Sequence, residues 1–223
     1  MLTKYDKKIS DIREQISTLL STITVANELS LEAFINNNES KFKDVQNALD
    51  KIGMRGDIID NEIIKTFALF GPEAKELRFL VSYLKMTNEI IRIGEGVRKY
   101  ARRMREHSIS ECALEALKPS IILLHKSTIN ALKYILECFE QDDDCNFENN
   151  YQKVLVEESM NDDLFSILEK EIFNQIIGEK ELSIEYVKVL GSLRKLERFC
   201  DRAVTIANLM LYAKQGGEIN HFN

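Results

Sequence analysis

The chain has 223 residues, 44% of them hydrophobic and 30% charged, with only nine Gly and two Pro. That is enough apolar mass for a real core, and too little punctuation for an all-β or disordered chain. A formal charge of -6 with a pI near 5.3 excludes general affinity for nucleic acid unless a local basic patch supplies it. The start, Met1-Leu-Thr-Lys-Tyr-Asp6, lacks the apolar core of a signal peptide, and runs such as Ile121–Leu124 are too short to span a bilayer. The expectation is a cytoplasmic protein that meets membranes only through partners. Cys112, Cys138, Cys145 and Cys200 show no C-x-x-C spacing and make no zinc-finger pattern with His107, His125 and His221. They are read as reduced, structural thiols.

Ile9, Ile12, Ile16, Leu19, Ile23 and Ala26 fall at alternating steps of three and four, which predicts an amphipathic helix continuing through Leu29 and Ala33. Asn36-Asn-Asn-Glu39 ends it, and Ser40 is the expected N-cap of a second helix through Val45, Leu49, Ile59, Ile63 and Phe67, with Gly53 and Gly56 as weak points. Phe70-Gly-Pro72 closes that helix, and a third runs from Glu73 through Leu77, Leu80, Leu84, Ile91 and Val97 towards Met104. Gly94 and Gly96 inside it imply close backbone packing. The connector 107–110 leads to a fourth stripe (Leu114, Leu117, Leu124, Ala131, Ile135, Cys138) with Pro119 in its first turns. Asp142-Asp-Asp144 separates this from a fifth helix carrying Val154, Leu164, Ile167, Leu168 and Ile172, which Gly178 ends. A sixth is expected from about Glu181 to Tyr212, before a polar tail after Gly216.

The two halves repeat. A shift of 106 residues places Leu84 on Leu190, Arg92 on Arg198, Glu95 on Asp201 and Ala101 on Ala207, while Ile93 meets Phe199 and Val97 meets Ala203. An all-α fold of two tandem three-helix bundles, residues 1–108 and 109–216 with a flexible tail at 217–223, is the simplest arrangement that buries both seams.

The segment Leu77-R-F-L-V-S-Y-L-K-M-T-N-E-I-I-R-I-G-E95 resembles the third helix of PhoU-family phosphate-signalling proteins. Leu193-R-K-L-E-R-F-C-D-R-A-V-T-I-A207 resembles the family's second copy of it. The resemblance implies that each half uses E/D-x-x-x-D pairs on two helices to hold metal. A spacing of four puts both carboxylates on one helix face, and two such helices converge four acidic groups. Unit charges near 4 Å repel by about 4 kcal/mol at an effective dielectric near 20, so protons or a multivalent cation must neutralise them. The second half keeps the pattern, in Glu158 and Asp162 on the fifth helix and Glu197 and Asp201 on the sixth. The first half does not. Ile52, Gly56, Ile91 and Glu95 stand at the equivalent places, and Asp50, Asp57 and Asp60 are out of phase.

One cation site, in the second half alone, is therefore expected, with Fe, Mn, Zn or Mg as candidates for an all-oxygen donor set. The rival reading is a solvated surface salt-bridged by Arg194, Arg198 and Arg202. Cys200, where the family has Gly, points elsewhere on its helix than a ligand should. The run Arg98–Arg105 reads as a cationic helix C-terminus, or as a contact for phosphate, an acidic partner or nucleic acid. No phosphate loop and no Ser-His-Asp set can be assembled, so a hydrolase or oxidase working through the metal is the enzyme-class rival. The resemblance implies a homodimeric, non-enzymatic negative regulator of phosphate uptake and of the phosphate-starvation response. It would bridge the ATPase subunit of the phosphate ABC transporter and a sensor histidine kinase, without binding nucleic acid. The alternative is a metal-binding accessory domain for a sodium-phosphate or other transporter.

Overall fold

A computed structural model describes residues 2–108, 114–141 and 144–216. Among them the chain forms seven α-helices and no strand: α1 (Leu2–Ile35), α2 (Glu39–Ala48), α3 (Ile52–Phe70), α4 (Ala74–Ser108), α5 (Lys118–Gln141), α6 (Phe147–Gly178) and α7 (Ser183–Gln215). A 3-10 turn, Lys180–Leu182, joins the last two. The expected tail at 217–223, Cys112 and His221 lie outside the described residues.

The stripe read in α1 is the buried one. Ile12, Ile16, Leu19, Ile23, Ala26 and Ala33 are all buried, as the three-four spacing requires of a face turned to a core. The helix ends at Asn36-Asn37-Asn38, where Asn37 takes a positive φ of 50°. Asn38, not Ser40, caps α2, its side-chain oxygen accepting from the Lys41 N–H at 3.2 Å.

The expected second helix is two helices. The ladder stops at Leu49, Lys51 adopts the left-handed conformation (φ 55°), and α3 starts at Ile52. The break precedes Gly53 and Gly56 rather than falling on them. Asn47 and Asp50, both poor helix residues, flank Leu49, and the Asp50 N–H turns back to the Asn47 carbonyl at 3.1 Å. The matching stretch of α6 runs through unbroken.

The duplication is visible in the helix ends. Displaced by 106 residues, Ile35 falls on Gln141, where α5 ends, and Ser108 falls on Lys214, one residue before α7 ends. The halves lie side by side as tandem bundles. α1 and α4 pack on α5 and α7 to form a central four-helix layer, α2 and α3 cover α1 and α4 on one flank, and α6 covers α5 and α7 on the other. One continuous apolar core runs through both halves, including the fully buried Tyr100 and Tyr186. α4 and α7 run antiparallel, and the close approach expected of Gly94 and Gly96 is present. A Cβ on Gly94 would stand 2.9 Å from Ile23 Cδ1, and one on Gly96 would overlap the Phe199 ring.

Two histidines are buried helix residues that tie the halves together, and one of them, His107, stands where a connector was expected. His125 on α5 pairs through Nε2 with Asn27 Oδ1 of α1 at 2.8 Å and sits edge-on to Tyr100 of α4. Burial holds its pKa down to about 3, so the ring is neutral. His107 on α4 shares a hydrogen bond of 3.1 Å with Ser192 of α7. The cysteine reading also needs correcting. Cys138 and Cys145 form a disulfide across the α5–α6 connection, and only the buried Cys200 is a free thiol among the described residues.

Candidate metal centre

α6 and α7 pack along their length, and this contact sets where their acidic faces meet. The underlying side is apolar: Val154, Phe165 and Leu168 from α6 and Leu193, Leu196 and Phe199 from α7 are buried. Polar bonds fix the height of α6. Asn161 donates to the Leu124 carbonyl at 2.9 Å and to Ser127 Oγ at 2.6 Å. Asn130 donates to Glu157 at 3.2 Å, while Thr128 donates to the Leu196 carbonyl at 3.3 Å, bridging α5 to α7.

On that frame Glu158 and Asp162 share one face of α6, and Asp201 reaches them from α7. One carboxylate oxygen from each of the three lies within 4.8 Å of the others. Glu158 is half-buried, while Asp162 and Asp201 are exposed. Glu197, one turn before Asp201, is half-buried and is not part of this tight group. The structure thus brings together three of the four expected carboxylates and leaves the fourth at the margin.

All four carboxyls are pushed above their usual range. Burial is the largest cause in each case. Asp162 and Asp201 then raise Glu158, Asp162 raises Asp201 against the opposing effect of Arg202 and Arg198, and Asp163 raises Asp162. Glu197 feels Asp201 and Asp162, partly offset by Arg194 and Arg198. Burial and neighbouring anions thus outweigh the nearby arginines at this face.

Two of the three arginines of the salt-bridged reading pair with other partners. Arg194 pairs with Glu169 at 3.6 Å and lies over the Phe165 ring, while Arg202 pairs across the seam with Glu89 of α4. Among the described residues no Lys or Arg forms an ion pair with Glu158, Asp162, Glu197 or Asp201. An oxygen-only cluster with no ion-paired cationic side chain fits a hard divalent or trivalent ion held by Glu158, Asp162 and Asp201. Cys200 fits no ligand role. It is buried, and burial followed by the surrounding carboxylates pushes its thiol well above the usual range.

Sequence reasoning passed over Glu157, which is buried beside the cluster with one oxygen bonded to Asn130 and the other without a hydrogen-bond partner. Its signal was the Glu157-Glu158 doublet, of which only one member can lie on the metal face.

The first half replaces this arrangement with apolar contact. A Cβ on Gly56 would come within 2.6 Å of Ile91 Cγ1, so the Ile91 side chain fills the space against α3. Asp50 is drawn off by Arg98 at 3.0 Å, and Asp60 is half-buried with one oxygen unpartnered, its carboxyl raised by burial and by Asp57. Among the described residues the Glu158, Asp162 and Asp201 group is the sole cluster with metal-ligand spacing.

A family model described as the PhoU domain matches the chain twice, over residues 16–104 and 121–210. Among curated relatives, the chain is 23% identical to phosphate-specific transport system accessory protein PhoU homolog 1 of Thermotoga maritima, over 98% of this chain and 92% of that protein. It is 21% identical to the Escherichia coli accessory protein PhoU, over 98% and 88%. Its fold is shared with the crystal structure of PhoU from Pseudomonas aeruginosa (TM-score 0.84, 20% identity, 96% of this chain and 100% of that one). The same holds for the phosphate transport system regulatory protein PhoU from Streptococcus pneumoniae (TM-score 0.79, 18% identity, 98% and 100%). With both halves matched across the central helix layer and its flanks, the chain belongs to the PhoU family.

Proposed function

We propose that this chain is a non-enzymatic accessory regulator of phosphate transport, damping phosphate uptake and the phosphate-starvation response when phosphate is plentiful. It acts as a homodimer on the ATPase subunit of the phosphate ABC transporter and on a sensor histidine kinase. The observation that carries the reading is the double PhoU-domain match along a chain whose relatives are named accessory proteins of the phosphate-specific transport system. Among the described residues no helix is long and apolar enough to cross a membrane, which suits a cytoplasmic protein held at the membrane by its partners. Glu158, Asp162 and Asp201, with Glu197 beside them, hold a cation (Fe, Mn, Zn or Mg) that neutralises the α6–α7 face and fixes its shape for a partner. The test is a crosslinked pull-down from phosphate-rich cells. Recovery of the transporter ATPase or the kinase with the tagged chain is expected, and recovery of neither contradicts the assignment.

A further inference from the structure

The first half carries a feature of opposite sign from the carboxylate face. Arg98, Lys99 and Arg102 on α4 line a cavity of about 280 Å³ together with Gln46 of α2 and Glu95. The helix-dipole reading does not account for them, because α4 runs to Ser108 and only Arg105 and His107 occupy its last turn. The cations are only partly compensated. Arg98 pairs with Asp50 at 3.0 Å and Lys99 with Glu95 at 3.9 Å, while Arg102 makes no ion pair among the described residues. On the other side of Lys99, its charge and those of Arg103 and Arg198 bear on Lys195 of α7.

Packing holds these like charges together. α4 and α7 are locked by Phe199 against Gly96 and by His107 against Ser192, so the cationic runs cannot drift apart. In a chain of net charge -6, this is a local excess of positive charge around an open cavity.

We infer that the cavity between α2 and α4 lined by Gln46, Arg98, Lys99 and Arg102 is a binding site for the phosphate group of a small anion. Two guanidiniums one turn apart, an ammonium and an amide offer more donors than a planar carboxylate can use, and suit a tetrahedral group with several acceptor oxygens. Glu95 in the wall opposes the anion and sets its affinity. The site lies outside the carboxylate cluster and does not depend on the regulatory reading above.

The test is titration calorimetry of the whole chain with inorganic phosphate in about 0.1 M chloride, where simple screening is already present. A parallel arm measures sedimentation with phosphatidylglycerol against phosphatidylcholine vesicles. Saturable phosphate binding is expected, weakened about tenfold or more by Arg102→Glu and strengthened by Glu95→Gln. Both substitutions fall on exposed positions, so circular dichroism should be unchanged. Vesicle binding without phosphate binding, with the same response to both variants, identifies the phosphate source as a lipid headgroup. Binding of neither, or binding that neither variant alters, overturns the inference.

Discussion

The two halves present the same helices, 106 residues apart, and use one face in opposite ways. On α6 and α7, one carboxylate oxygen from each of Glu158, Asp162 and Asp201 lies within 4.8 Å of the others, and among the described residues no Lys or Arg forms an ion pair with them. On α3 and α4 the equivalent places hold Ile52, Gly56, Ile91 and Glu95, and Ile91 packs into the space that Gly56 leaves open. One face gathers carboxylates at the spacing a cation would need, at the cost of charge repulsion. The other lacks that group and has apolar contact instead. A duplicated scaffold does not preserve a function in both copies, because burying a branched side chain and ligating an ion are alternative uses of one helix–helix gap.

The largest effect should separate the faces outright. Asp201→Ala is expected to bring the metal content of the purified protein to background in elemental analysis, whereas Glu95→Ala at the equivalent position should leave it unchanged. Glu197→Ala should retain most of the metal, because Glu197 stands outside the tight group.

Next in size is the seam. His125 has Leu19 as its counterpart, so the bond to Asn27 exists once and holds one half to the other. His125→Ala should cost about 3 kcal/mol in urea unfolding, through a cavity and a stranded Asn27. The ring's pKa is about 3 in the fold and near 6.5 when unfolded. Its contribution is therefore complete above pH 6.5 and is lost as pH falls from there towards 3. The slope of stability against pH over that window should flatten in His125→Phe.

Gly56→Ala sharpens the first-half account. Overlap with Ile91 should outweigh the better helix propensity and cost about 1 kcal/mol. In an Ile91→Ala background the same substitution should become stabilising, a sign change that a double-mutant cycle reads directly.

The smallest effect runs against the usual direction. With its carboxyl raised, Asp201 holds a proton more tightly in the fold than in the unfolded chain, so metal-free stability falls as pH rises past the ordinary carboxylate range. Asp201→Asn should then raise the Tm of chelator-treated protein at pH 7. Added metal should raise the Tm of the unmodified chain and not that of the variant.

The local features were legible in the sequence: the α1 stripe, the closure at Phe70-Gly-Pro72 and the close packing at Gly94 and Gly96 follow from neighbours within two turns, and the repeat follows from comparing the two halves at a shift of 106 residues. The break at Leu49–Lys51 was not, since no residue there forbids a helix and the left-handed Lys51 is set by tertiary context. Nor were the His125–Asn27 and His107–Ser192 bonds, whose partners are 98 and 85 residues apart. For the candidate site, the sequence supplied the residues and their helix faces. It did not show that Glu197 stands aside, because that depends on how α7 rotates against α6. Periodicity carries no information about the Cys138–Cys145 pairing, which joins the last turns of α5 to a residue just before α6.

The asymmetry between the faces is tested most directly by anomalous diffraction from crystals grown with Mn²⁺. The account predicts density between Glu158, Asp162 and Asp201, and none between α3 and α4 beside Gly56 and Ile91. A peak at the first-half position, or none at the second, would contradict it.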